Sequence, residues 1–134
     1  MKIEPYLFFE GRSEEAIEFY KSAVGAKVNR LVRFKDSPEE HAQPATDCGN
    51  KVMHASLTIG ETEMFLTDGH CRGNPVFSGI TLSLTAASDS EAERIFTGLS
   101  AGGHVSMPLT NTFFARKFAM LTDRFGVAWM IIAD

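Results

Sequence analysis

Cysteine is scarce in this chain: Cys48 and Cys71 are the only two among 134 residues, too few for a disulfide framework, and both read as free thiols. No apolar run is long enough to span a bilayer as a helix, so no membrane partner is expected. The opening Met1-Lys2-Ile3-Glu4-Pro5 lacks a basic segment followed by an apolar one, and a cytoplasmic protein is the expectation. Lys and Arg number 13 against 17 Asp and Glu. The cations are scattered and form no stripe that could follow a phosphate backbone, which excludes nucleic acid as a partner. There is no Gly-x-Ser-x-Gly elbow and no Walker loop, and Gly102-Gly103 follows a helical pattern instead of opening one. Serine hydrolysis and phosphate cradling lose their usual apparatus.

What is present is a duplication. Pro5-Tyr6-Leu7-Phe8-Phe9, an acid-rich helix from Ser13 to Tyr20 and Gly25-Ala26-Lys27-Val28 are answered by Thr81-Leu82-Ser83-Leu84, a helix from Ser88 to Phe96 and Gly102-Gly103-His104-Val105. The offset of about 76 residues is too long for a solenoid repeat and fits two copies of one supersecondary unit. A chain that is 44% hydrophobic can bury a substantial core, so one domain is expected over 1–134, with module one at about 1–70 and module two at about 76–134.

Ala16, Ile17, Tyr20, Ala23 and Val24 recur at helical spacing, with Ser13 as N-cap, Glu14 and Glu15 in the first turn and Gly25 as the stop. The second helix repeats the plan, with Ser88 or Asp89 capping, Ala92, Ile95, Phe96 and Leu99 inward and Gly102-Gly103 as the stop. Strands are expected over 27–34, 52–59 and 63–67, then over 105–108, 115–122 and 127–133, with turns at 59–62 and 123–126. Each half therefore reads strand, helix, three strands.

Along 53–59, Met53, Ala55, Leu57 and Ile59 alternate with His54, Ser56 and Thr58; along 80–85, Ile80, Leu82 and Leu84 alternate with Thr81, Ser83 and Thr85. Alternation sends one set to each face of a sheet, so helices covering the apolar sets leave hydroxyl-rich faces open. Such a face, if curled, makes a small-ligand site; the pattern equally suits a solvated sheet surface. His54 fits a general base or a hydrogen-bond partner of a ligand, but with no second catalytic group visible it reads more readily as a histidine satisfied by a neighbouring strand. Glu14-Glu15, Glu91 and Glu93 are explained by the helix dipole. His41, Cys48, His54, His70 and Cys71 match no zinc spacing. The polar stretch from Lys35 to Asn50 reads as a lid or a disordered loop, and Asn111-Thr112-Phe113-Phe114-Ala115-Arg116 could close a pocket or pack in a core or dimer.

These strings resemble a known family. The paired plan is similar to the vicinal oxygen chelate superfamily of glyoxalases, bleomycin-resistance proteins and extradiol dioxygenases. Pro5 to Phe9, Glu15-Ala16-Ile17-Glu18-Phe19-Tyr20, Val52-Met53-His54-Ala55 and the run from Phe118 to Met130 with Asp123-Arg124-Phe125-Gly126-Val127-Ala128-Trp129 resemble its PhnB-like branch over nearly the whole chain. The resemblance implies an α+β fold of two βαβββ modules whose curled mixed sheets enclose a cleft, commonly in a homodimer. Metal-dependent members hold a divalent ion at positions that fall here on Pro5, near Thr81, and on Met130, with Glu63 the sole nearby carboxylate. Pro5, Thr81 and Met130 are poor ligands, so no metal and no other cofactor is expected. A methyltransferase label is attached to some relatives, but a methyl-donor fold needs a Gly-rich turn after a first strand and a parallel sheet, and the sequence offers neither.

The expectation is a protein that binds a small oxygenated molecule in an inter-module cleft lined by Leu7, His54, Ser56, Thr81, Ser83, Phe114 and Met130. A metal-free enzyme using His54, a metal-dependent lyase, isomerase or dioxygenase, and a drug-sequestering resistance protein remain open.

Overall fold

Helical, strand and turn signals separate cleanly in the chain, and a computed structural model, which describes residues 1–37 and 48–134, realises them as a mixed α+β structure. The chain divides into two compact units, Met1–Pro75 and Val76–Asp134. Each is a βαβββ module. The first holds strand β1 (Tyr6–Phe8), helix α1 (Ser13–Val24) and strands β2 (Lys27–Arg33), β3 (Val52–Ile59) and β4 (Thr62–Thr67). The second holds β5 (Leu82–Thr85), α2 (Asp89–Ser100), β6 (His104–Thr110), β7 (Lys117–Thr122) and β8 (Ala128–Ala133). The sheet orders correspond, β1-β4-β3-β2 and β5-β8-β7-β6. Each has one parallel pairing, β1 with β4 and β5 with β8, and two antiparallel ones.

In the first unit Leu7, Leu66 and Ala55 are register neighbours, as are Met64 and Leu57, and all five are buried. Helix α1 packs against β3 and buries Ala16, Ile17, Tyr20 and Ala23. Removing a side chain the size of Leu or Met from water stabilises by about 1.5–3 kcal/mol, so this layer is the unit's main source of stability. In the second unit Trp129, Ile131 and Ala133 are buried on one face of β8, and α2 covers β7 and β8 with Ala92, Ile95 and Leu99. Phe96, expected inward, is only half-buried.

The two helices start differently. Ser88 caps α2 as expected, its Oγ accepting from Glu91 N at 3.1 Å while Glu91 Oε2 accepts from Ala87 N at 3.3 Å. Ser13 does not cap α1. It lies inside the first turn, and the N-cap position, Arg12, makes no side-chain cap bond. The carboxylate of Asp68 takes that role, with Oδ1 accepting from Gly11 N at 3.0 Å and Ser13 N at 2.8 Å and Oδ2 from Val52 N at 2.8 Å. The carboxylate satisfies one of the helix's free N–H groups, that of Ser13, and sets a negative charge at the positive end of the helix, while tying the preceding turn and β3 to the same point. At the other end of α1, Gly25 takes φ 66° and stops the helix in the left-handed conformation.

Strand limits move for local reasons. Phe34 leaves β2 for a 3-10 turn, Phe34–Asp36. Strand β6 runs past Pro108 to Thr110, because it is the sheet's edge and its register shifts between Met107 and Thr110. Gly103 enters this edge where a Cβ would sit 2.2 Å from the Thr122 carbonyl oxygen, so only glycine fits the approach. Most of the loop expected over Lys35–Asn50, His41 included, lies outside the described residues.

Candidate functional site

Four of the first unit's elements contribute to the face of its sheet turned away from α1. The register sets Tyr6 beside Phe65, Phe65 beside Ser56 and Ser56 beside Arg30, with Glu63 beside Thr58 and Thr58 beside Lys27. His54 shares this face two residues along β3, opposite Val32. A register irregularity between Val28 and Arg30 makes Asn29 the extra residue of a bulge. Bulges re-aim side chains, and Asn29 Nδ2 donates to Thr58 Oγ1 at 2.7 Å and to Ser56 Oγ at 3.3 Å.

The centre of the face is aromatic. The Tyr6 and Phe65 rings lie 5.5 Å apart, His54 and Phe65 5.3 Å, Tyr6 and His54 5.6 Å, and Tyr6 and Phe8 5.8 Å. Tyr6 and Phe8 remain about half exposed, at 46% and 50%. The Tyr6 hydroxyl bonds His54 Nδ1 at 2.8 Å. Partial burial holds the Tyr6 phenol above its ordinary pKa, and burial followed by the nearby Arg30 cation pushes His54 below its ordinary 6.5, with Glu63 opposing. At neutral pH the pair is a phenol and an uncharged imidazole. The phenol then donates to the Nδ1 lone pair, which fixes the ring proton on Nε2.

That state has a stability consequence. Above about pH 6.5 His54 is uncharged in both folded and unfolded chains and contributes nothing. Below it the unfolded chain takes the proton first, so the His54 contribution turns unfavourable as pH falls from 6.5 to the lowered folded value and is constant beneath that. His54→Gln should remove this slope from urea midpoints measured between pH 7 and 5, and an imidazole NMR titration at or above 6.5 would contradict it.

A rim of polar groups borders the aromatic centre. Ser56 Oγ donates to Glu63 Oε2 at 2.5 Å, and Ser56 is 4% exposed, so its hydroxyl belongs to a closed ladder with Asn29 and Glu63. Next to it, Thr58 and Glu63 help line a cavity of about 420 Å³ with Lys2, Ile3, Glu4, Glu61 and Thr62.

Of the residues expected at the site, His54 and Ser56 share this face. Leu7 does not: it is 5% exposed, pairs with Leu66 and lies on the helix-covered face, and its neighbour Tyr6 stands where Leu7 was expected. In the second unit Ser83 is exposed and registers with Met130, which registers with Met120, which registers with Met107, a row across the sheet. Thr81 is exposed just before β5. Phe114 is exposed and packs edge-on to Phe118 at 5.0 Å and to Phe113 at 5.2 Å. Sequence reasoning missed Tyr6, Phe65 and Asn29, and weighed Glu63 only as a metal ligand. Tyr6 could have been found from the parallel β1–β4 pairing, the others from the parity of β4 and the bulge.

At the positions expected to hold a divalent ion, the residues present do not fit one. Pro5 has no donor atom, Met130 offers a soft thioether, Thr81 a neutral hydroxyl, and the Glu63 carboxylate is engaged by Ser56. Among the described residues no three His, Cys, Asp or Glu side chains converge.

Comparison with known proteins completes the picture. The family described as 3-demethylubiquinone-9 3-methyltransferase matches residues 1–132. Protein YjdN of Escherichia coli strain K12 is 32% identical over 138 residues, 98% of this chain and 94% of that protein. The structure of protein PA1353 from Pseudomonas aeruginosa superposes with a TM-score of 0.87 at 40% identity, covering 100% of this chain and 98% of that one. The PhnB protein of Bacillus cereus, which carries the same methyltransferase description, superposes with a TM-score of 0.81 at 29% identity over the full length of both chains. A glyoxalase-related enzyme from Fulvimarina pelagi shares the fold, with a TM-score of 0.63 at 14% identity over 100% of this chain and 88% of that one.

Proposed function

Since the chain belongs to the PhnB-like family of the vicinal oxygen chelate superfamily, we propose that it binds a small oxygenated molecule on the open face of its first sheet without a divalent metal. The carrying observation is the Tyr6–His54 hydrogen bond of 2.8 Å set among aromatic rings. With Nδ1 taken by the phenol, Nε2–H is the donor left to a ligand carbonyl or carboxylate oxygen, while Phe65, Tyr6 and Phe8 supply apolar contact. A few placed polar groups on an apolar platform is the usual composition of a small-ligand site. Methyl transfer is less well supported: each sheet has one parallel pairing only, and the turn after β1 carries one glycine, Gly11, whose N–H is already bound by Asp68.

The test is a thermal-shift screen with small acids, phosphonates and aromatic compounds, since a ligand bound only by the folded state raises its melting temperature. For a compound that binds, His54→Ala should weaken affinity by about tenfold, the loss of about 1.5 kcal/mol from one directed hydrogen bond, and Tyr6→Phe should weaken it by releasing the hold on Nδ1 that keeps the imidazole proton on Nε2. Unchanged dissociation constants in both variants would move the site elsewhere. We further propose a cytoplasmic homodimer. Strands β2 and β6 are sheet edges with largely exposed residues, which a second copy could cover. Light scattering on the same preparation should give twice the mass of the chain, and a monomer mass would sink the dimer.

A further inference from the structure

Beyond the open face, the structure assigns Cys48 and Cys71 to a thiol pair that closes into a reversible disulfide when a peroxide-class oxidant reaches it. The β3–β4 ladder ends at Val52 and Asp68, where Asp68 N donates to Val52 O at 2.8 Å and Val52 N to Asp68 Oδ2 at 2.8 Å. The chain makes a tight turn on each side of this closing pair. Lys51 N donates to Cys48 O at 3.0 Å on one side, and Cys71 N to Asp68 O at 2.8 Å on the other. One turn beyond a shared strand end, the two cysteines are brought from 23 positions apart to where their thiols can interact, both as free thiols.

Two features mark the pair as more than two small hydrophobic residues. Cys71 holds φ 55°, in the left-handed region that a residue with a Cβ adopts only where its surroundings impose it. Its backbone N–H is bound to the carbonyl of Asp68, whose carboxylate is itself held by three N–H groups, so the turn that carries Cys71 is fixed at several points. Cys48 is buried while Cys71 is half-buried, so solvent reaches the pair from one side.

The chemistry balances with the oxidant named. One thiolate attacks a peroxide oxygen, the O–O bond breaks, and a sulfenic acid forms as the peroxide takes two electrons. The second thiol attacks the sulfenic sulfur, the S–S bond forms, and the hydroxyl leaves as water. With hydrogen peroxide, two thiols lose two electrons and two protons and two waters are produced. Burial, and then contact with Cys48, pushes the Cys71 thiol up to about 12. The thiolate is the reactive form, so Cys71 reacts slowly with an oxidant at neutral pH and faster as pH rises. The crosslink encloses β3 and β4 and restricts the unfolded chain, which raises the melting temperature of the oxidised form.

The experiment treats the full chain with hydrogen peroxide, denatures it, alkylates free thiols and measures intact mass and the peptides of a non-reducing digest. The expected product has lost two hydrogens, gains no alkyl group, yields one peptide pair joined through Cys48 and Cys71, melts higher than the reduced protein and reverts with dithiothreitol. Two alkylated cysteines after oxidation, oxygen added to a single sulfur, or disulfides between chains would each overturn the assignment.

Discussion

Asp68→Ala should unfold the first unit at markedly lower urea concentration, with a loss of about 3–5 kcal/mol. Asp68 is 1% exposed, and one carboxylate serves three segments: the turn before α1 through Gly11 N, the first turn of α1 through Ser13 N, and the start of β3 through Val52 N. Its backbone adds the Val52 carbonyl as a fourth tie. Truncation leaves three N–H groups without their acceptor and removes the negative charge from the helix's positive end. Asp68→Asn separates these effects. It keeps one carbonyl oxygen for Gly11 and Ser13 but turns an amide N–H toward the N–H of Val52, so about half the loss is expected. Equal urea midpoints for wild type and Asp68→Ala would mean that water replaces the carboxylate without cost, and the account of how α1 is anchored would be wrong.

That anchor also shows where sequence reading stops. Ser13 sits where a local pattern puts a cap, yet the acceptor comes from 55 residues away, a pairing no window of sequence contains. Ser88, whose partner is three residues on, was legible for the same reason that Ser13 was not. Strand β3 announced its faces because apolar and polar residues alternate from Met53 to Thr58, and His54 and Ser56 do share a face. Strand β1 is apolar on both faces, Tyr6 and Phe8 on one and Leu7 on the other, so its parity carried no signal and Leu7 was placed with the ligand. Asn29 was hidden by its bulge, since one inserted residue reverses the alternation on which the reading depends. The duplication survives all of this because strand order follows connection lengths and helix caps more than the parity of any one strand.

In the second unit the corresponding test is Asp123→Ala, for which about 3–4 kcal/mol is expected, with a change in tryptophan emission. Asp123 is 3% exposed; Oδ1 accepts from Phe125 N at 2.9 Å and Val127 N at 3.1 Å, and Oδ2 from Trp129 Nε1 at 2.9 Å. Its backbone closes the same turn, donating to Val127 O at 2.8 Å and accepting from Gly126 N at 3.0 Å. The side chain therefore fixes the β7–β8 turn and the indole at the head of β8 together. Trp129 is the chain's single tryptophan, so its emission reports this bond without interference. A double-mutant cycle with Trp129→Phe isolates the indole bond from the turn. Coupling of about 1.5–3 kcal/mol is expected for a buried bond to a charged acceptor. Additive losses would show that Asp123 acts through the turn alone, and that Trp129 is held in β8 by packing against α2 and its neighbours.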